Sequence, residues 1–174
     1  MPKLIQENAS LVQNQPRPLM LVWFSVAALI LIADQVTKSW IDSEFFLGQS
    51  EIVTSFFNLV RVHNYGAAFS FLSDAGGWQR WFLASLSSVI SVVLVSWLIK
   101  LPRSKWIEGL ALALILGGAL GNLYDRVILG YVVDFLDFHW SGSHFPAFNV
   151  ADSGITMGAS LLIFDMLITR QDSE

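Results

Sequence analysis

The chain has 174 residues, of which 54% are hydrophobic and 14% charged, with a net charge of −4 and no cysteine. That balance, with a clearly positive mean hydropathy, is far from a soluble domain and points to one compact membrane domain. The lack of cysteine excludes disulfides, a thiol nucleophile and a thiolate metal site, and no basic stripe suggests a nucleic-acid partner.

Residues 1 to 18, with Asn, Gln, Ser and three prolines, read as a flexible N-terminal tail. Four uncharged apolar runs follow: Leu19 to Ala33, Trp81 to Ile99, Gly109 to Leu123, and Ser153 to Phe164. A helix needs roughly 20 residues to cross a hydrocarbon core, so only the second run spans alone. Extending the first to Trp40, the third to Tyr124 and the fourth to Ile168 supplies the length and admits Asp34, Lys38, Asn122 and Asp165 near helix ends. Polar groups at those depths should face other helices. The first run, behind Lys3 and Arg17, imitates a secretory signal, but no small-x-small cleavage pattern ends it and three more spans follow. The domain is thus assigned to residues 19–169, with a short tail at 170–174.

Between the first two spans, Ile52 to Val62 is rich in Val, Ile and Phe and partly alternates, which predicts one or two strands before the turn-like Asn64-Tyr65-Gly66. A small sheet on the membrane face follows. Ala75 to Arg80 reads as a loop into the second span. Trp40, Trp78, Trp81, Trp97, Trp106 and Trp140 lie at or near predicted segment ends, as rings of an interfacial belt. Lys100, Arg103 and Lys105 crowd the short loop between the second and third spans, whereas the first loop spreads its basic residues thinly. By the positive-inside rule the short loop and both termini are cytoplasmic, and the loops around 41–80 and 125–150 lie outside.

Gly109, Ala113, Gly117 and Gly121 recur every four residues on the third span, as do Gly154 and Gly158 on the fourth. This is the spacing by which membrane helices approach closely. Gly118, Asn122 and Arg126 form a second row, placing an amide and a guanidinium on one face. Asp34 and Lys38, also four apart, read as a helix-end ion pair.

The acids between the third and fourth spans are functional candidates, because carboxylates at the edge of a bilayer are costly. Asp152 falls where the fourth helix should begin, so capping competes with function as its role. Asp125 beside Arg126 reads as an interfacial ion pair or a loop charge, and Asp137 and Asp165 as solvated or interfacial acids. Asp134 has only apolar neighbours, Val132, Val133, Phe135 and Leu136, and no nearby cation in sequence. His63, His139 and His144 show no ligand spacing. Two facing carboxylates can share a proton and divide hydrolytic labour, one as base on water and one as acid toward a carbonyl oxygen. The 18 positions separating Asp134 from Asp152 are ample for a reversing connection that would bring them together.

Five segments in order carry a family likeness: Asp34-Gln35-Val36-Thr37-Lys38, Asn64-Tyr65-Gly66-Ala67-Ala68-Phe69, Gly117-Gly118-Ala119-Leu120-Gly121-Asn122-Leu123-Tyr124-Asp125-Arg126, Val132-Val133-Asp134-Phe135, and Phe145-Pro146-Ala147-Phe148-Asn149-Val150-Ala151-Asp152-Ser153. From about Leu19 to Ile168 the chain resembles bacterial lipoprotein signal peptidase, or signal peptidase II. The resemblance implies a polytopic α-helical membrane protein of the inner membrane, with four transmembrane helices and a small periplasmic β-sheet cradle in the first outer loop. It implies an aspartyl endopeptidase that cuts diacylglyceryl-modified prolipoproteins just before the lipidated cysteine, without metal or cofactor. The matching catalytic pair is Asp134 and Asp152. Asn64, Asn122, Arg126 and Asn149 match positions that hold substrate backbone or the pair, and Asp34, Lys38 and Gly118 are assigned structural or supporting roles. Membrane lipids and globomycin-type cyclic peptides are the implied further partners.

Rival chemistries are weaker. Gly142-Ser143-His144 lacks the spatial logic of a serine triad. A presenilin-like protease would share Tyr124-Asp125 but needs a Gly-x-Gly-Asp partner that the sequence lacks. A transporter or scaffold would use the acids as an ion path or as glue between helices.

Overall fold

A computed structural model describes residues 19–66 and 76–171; the N-terminal tail, Ala67, Ala68 and Phe69 of the second motif, and residues 172–174 lie outside them. Four long helices dominate: α1 (Met20–Glu44), α2 (Trp78–Lys100), α3 (Trp106–Ile128) and α4 (Val150–Gln171). At 1.5 Å per residue, the 25 residues of α1 and the 23 of α2 and α3 reach about 34 to 37 Å, enough for a bilayer core. All four are long and apolar enough to cross a membrane. Each begins or ends beyond its uncharged run, so Asp34, Lys38, Asn122, Asp125 and Asp152 all lie on helices.

Helix α3 is the centre of the bundle: 61% of its apolar window is buried, against 17 to 28% in the other three. Its two small-residue rows explain this. Gly109, Gly117 and Gly121 face Trp23, Ala27 with Ile30, and Asp34 of α1, while Gly118 faces the Ala151 carbonyl and Ile155 of α4. From the other side, Gly154 and Gly158 meet the backbone of α3 at Leu114 and Ala111. A β-carbon on Gly118 would run into backbone that cannot swing aside, so this glycine is fixed by the helix approach. Trp23, Leu94, Leu98, Leu112 and Leu116 fill the core at the far end from the sheet.

The interfacial tryptophans divide between the two ends. Trp40, Trp78, Trp81 and Trp140 are exposed toward the sheet end, and Trp97 and Trp106 toward the end of the Lys100–Lys105 loop. Such belts mark the two faces of a bilayer.

The sheet corrects the sequence reading in one respect. It is four-stranded and antiparallel in the order β1 (Ser50–Thr54), β2 (Phe57–Asn64), β3 (Val132–Trp140), β4 (Ser143–His144), so both outer loops build it rather than the first alone. Strand β3 hides in the sequence because its first four residues are all buried. A strand covered on both faces shows no alternation. One face packs Val133 and Phe135 on Ile41 and Phe45 at the end of α1, and the other carries Asp134. The register sets Val62 opposite Asp134 and Asn64 opposite Val132, beyond an irregularity between Leu59 and Val62. Phe148 then exchanges backbone hydrogen bonds with Leu136, which draws the chain back against β3 just before α4 begins.

Candidate active site

Asn149 is completely buried and precedes the first residue of α4. Its Oδ1 accepts the Asp152 backbone N–H at 2.9 Å, and Asp152 Oδ2 accepts the Asn149 backbone N–H at 3.3 Å. This reciprocal pair is a capping box, so the capping role weighed for Asp152 is real. The Nδ2 of the same Asn149 donates to Asp134 Oδ1 at 2.7 Å and to the Val133 carbonyl at 3.2 Å. One residue therefore touches both carboxylates, Asp134 through its side chain and Asp152 through its backbone N–H.

Each remaining carboxylate oxygen also has an amide donor. Asn64 Nδ2 donates to Asp134 Oδ2 at 3.0 Å, and Asn122 Nδ2 to Asp152 Oδ1 at 2.8 Å. Asn64 is held by the Gly66 N–H, which donates to its Oδ1 at 2.9 Å, and Arg126 donates to the Gly66 carbonyl at 3.0 Å. Arg126 thus fixes the turn that aims Asn64, while its charge acts on Asp152, Asp134 and Asp125. Asp134 is 2% exposed. Its burial first, and the charge of Asp152 second, push its carboxyl up to about 7, against the hydrogen bonds from Asn64 and Asn149.

Beneath this pair lies a second knot. Lys38 Nζ is 2.8 Å from Asp34, 2.8 Å from Asp125 and 3.0 Å from Asn122 Oδ1. Asp34 Oδ1 accepts the Ala151 N–H at 2.8 Å, and Gln35 Nε2 donates to Asp125 at 2.9 Å and to Asp34 at 3.2 Å. The knot joins α1, α3 and the first turn of α4.

Three expectations change. Asp34 and Lys38 do pair, but 0% and 3% exposed and tied to α3, not as a solvated helix-end pair. Asp125 is neither a loop charge nor the partner of Arg126: it is 1% exposed and its partner is Lys38 on α1. Continuing the row Gly109, Ala113, Gly117, Gly121 by one step of four reaches Asp125, so the α1-facing row carried this signal. Asp137 is buried, not solvated; against the cost of burial, hydrogen bonds from His144 and Asn58 hold its carboxyl below the ordinary value. His144 is thereby committed to Asp137, and His63 stacks on Tyr131 at 3.7 Å between ring centroids. Asp165 remains partly exposed. Gln35 and Gly66, both inside the recognised motifs, were given no individual role by the sequence.

Four apolar helices with buried acids gathered where they meet a sheet define a multi-pass membrane protein with a polar site at one end. The family described as signal peptidase (SPase) II matches residues 26–168. The chain is 57% identical over 147 residues to the lipoprotein signal peptidase of Teredinibacter turnerae, covering 84% of this chain and 88% of that protein. It is 53% identical over 152 residues to that of Shewanella halifaxensis, covering 87% and 89%. A bacterial membrane enzyme solved by the in meso method at 2.3 Å superposes with a TM-score of 0.82 at 34% identity, over 92% of this chain and 96% of that one. The chain belongs to the signal peptidase II family. It is a membrane peptidase, and the general class of that family is aspartic.

The raised Asp134 carboxyl has a consequence for stability. Folded Asp134 holds its proton to about pH 7 and the unfolded residue only to 3.8, so its stabilising contribution is complete below about pH 4 and lost as the pH rises through about 7. Asn at this position cannot titrate. In thermal unfolding of detergent-solubilised protein, the Tm of Asp134→Asn should gain steadily on wild type from about pH 4 to 7 and then hold level. A Tm difference that does not vary with pH over that range would contradict the burial argument.

Proposed function

We propose that Asp134 and Asp152 are the catalytic dyad of an aspartyl signal peptidase that cuts diacylglyceryl-modified prolipoproteins just before the lipidated cysteine. The observation that carries this reading is the Asn149 side chain, which contacts Asp134 through Nδ2 and the Asp152 backbone through Oδ1. The names of the relatives supply the substrate class.

Two carboxyls so placed share one proton at neutral pH. Asp134, the more buried acid and the one pushed up to about 7, serves as the proton donor, and Asp152 as the base. Asp152 takes a proton from water as the water oxygen attacks the scissile carbonyl carbon, while Asp134 gives its proton to the carbonyl oxygen. The tetrahedral diol then collapses. Asp152 returns its proton to the departing amine, and Asp134 recovers one from the hydroxyl as the new carboxyl forms. Both acids end as they began, and the products are the free signal peptide and a lipoprotein that starts with its modified cysteine. Asn64, Asn122 and Asn149 hold the pair, and Arg126 orders the turn beside it.

A substrate anchored by a lipid on its cysteine lies in one leaflet, so the dyad must work at that depth and substrate must enter sideways between helices. The site is at the sheet end, opposite the Lys100–Lys105 loop. The positive-inside rule then sets the site at the outer, periplasmic face of the inner membrane and both termini in the cytoplasm. A globomycin-type cyclic peptide would bind at the same pair of acids.

Asp134→Asn and Asp152→Asn should each abolish processing of a diacylglyceryl precursor by purified, folded protein. The double variant should be no worse than either, because groups acting as a unit are not additive. Near wild-type turnover by either single variant would sink the assignment. For orientation, single cysteines placed at the exposed positions Ser43, Ser104 and Ser141 can be treated in intact cells with a membrane-impermeant thiol reagent. Ser43→Cys and Ser141→Cys should label and Ser104→Cys stay protected; the reverse pattern would invert the topology.

A further inference from the structure

The Asn122 amide has an acceptor end and a donor end, and its surroundings require a particular one on each side. Its Oδ1 is 3.0 Å from the Lys38 ammonium and 3.3 Å from Asn149 Nδ2, and its Nδ2 is 2.8 Å from Asp152 Oδ1. An ammonium has three donors and no acceptor. The three hydrogens of Lys38 face three acceptors, Asp34 Oδ2, Asp125 Oδ2 and Asn122 Oδ1, so none is left over. The end of the Asn122 amide that faces Lys38 must be its carbonyl. The NH2 is thereby turned on Asp152.

We propose that Lys38 is a positioning residue for Asp152, acting through Asn122: it fixes the sense of the amide and so obliges Asn122 to donate to the Asp152 oxygen that must remain an acceptor. The two ends of an amide have nearly the same size, so packing alone does not choose between them. Turned over, Asn122 would set its carbonyl oxygen against Asp152 Oδ1, lone pair against lone pair. That arrangement closes only when the oxygen carries a proton, and a protonated Asp152 cannot take one from water. Asn149 has no such freedom, since its Oδ1 is already committed to the Asp152 N–H. Asn149 Nδ2 also reaches Asn122 Oδ1, at 3.3 Å, but its two hydrogens already serve Asp134 and the Val133 carbonyl, so the Lys38 ammonium at 3.0 Å is the main determinant of the Asn122 sense. Asp34 and Asp125 hold the ammonium in place, which gives the buried knot a part in the chemistry beyond joining helices. The inference rests on the reading of Asp134 and Asp152 as the dyad.

A double-mutant cycle tests it, with wild type, Lys38→Met, Asn122→Ala and the double variant assayed on a diacylglyceryl precursor. Lys38→Met should lower kcat about 100-fold, the scale of a misplaced catalytic group, and leave KM within about threefold. In the Asn122→Ala background the same change should cost less than about threefold, because its route of action is gone. Equal losses in both backgrounds would overturn the proposal. Lys38→Met leaves two buried acids unpaired and can fail to fold, so a second variant, Asp34→Asn/Lys38→Met/Asp125→Asn, removes all three charges together. It should fold, with a Tm near that of wild type, and show the same loss of kcat. Wild-type kcat in that folded variant, or failure of both variants to fold, would assign Lys38 to the fold alone and end the proposal. Asp152→Asn, run alongside, separates the two claims: if it cleaves, the dyad reading fails, and if it is dead while the cycle is multiplicative, only the role of Lys38 fails.

Discussion

The site depends on where the buried Asn149 side chain points. Its Oδ1 starts α4 by capping it, and its Nδ2 reaches across to Asp134 on β3. Neither contact forms unless the chain from Phe145 to Phe148 folds back on β3, which the Phe148–Leu136 bonds accomplish. The result converts two acids 18 positions apart, on different kinds of secondary structure, into neighbours. Buried carboxylates demand donors, and here every oxygen of the pair has an amide. Amides carry no charge, so they hold the acids without pulling both into the ionised state as an arginine pair would.

That distinction separates the two polar clusters. In the lower knot a full cation meets two acids, and both are held as partners of Lys38. Removing one partner from such a buried pair typically costs about 3–5 kcal/mol, so Asp125 is part of what holds α1 to α3. In the upper cluster the cation, Arg126, spends its hydrogen bonds on the Gly66 and Asn122 carbonyls. Glycine rows on α3 make both clusters possible, because only close backbone approach sets Asp34 of α1 and Asp125 and Asn122 of α3 around one ammonium, with the Ala151 N–H of α4 on Asp34.

Hydropathy made the four spans legible, and the four-residue spacing of small residues made their close packing legible, because both depend on local pattern. The sheet was half visible: the Val, Ile and Phe of Ile52 to Val62 marked the first two strands, whereas Val132 to Phe135 is buried throughout and carries an acid. The motifs named Asn64, Asn122, Arg126, Asn149, Asp134 and Asp152, and the fold gathers all six. What adjacency in the chain could not supply was pairing across helices; only the four-residue row on α3 pointed Asp125 toward α1. Asp125 sits next to Arg126 in the chain, and adjacency suggested a pair, but successive helical residues point about 100° apart. Its partner is 87 positions away on α1. Asp137 was misread for the same reason, since Asn58 and His144 come from other strands.

The proposed mechanism needs a single shared proton, held by Asp134 when the enzyme is at rest. Carboxyl carbon-13 spectra of solubilised enzyme with labelled aspartate, recorded across pH and assigned by comparison with Asp134→Asn, measure that proton directly. One aspartate resonance should titrate near pH 7 and vanish in the variant. If every aspartate in the folded wild-type enzyme titrated below about pH 5, in the ordinary carboxylate range, Asp134 would be ionised at rest and could not act as the acid.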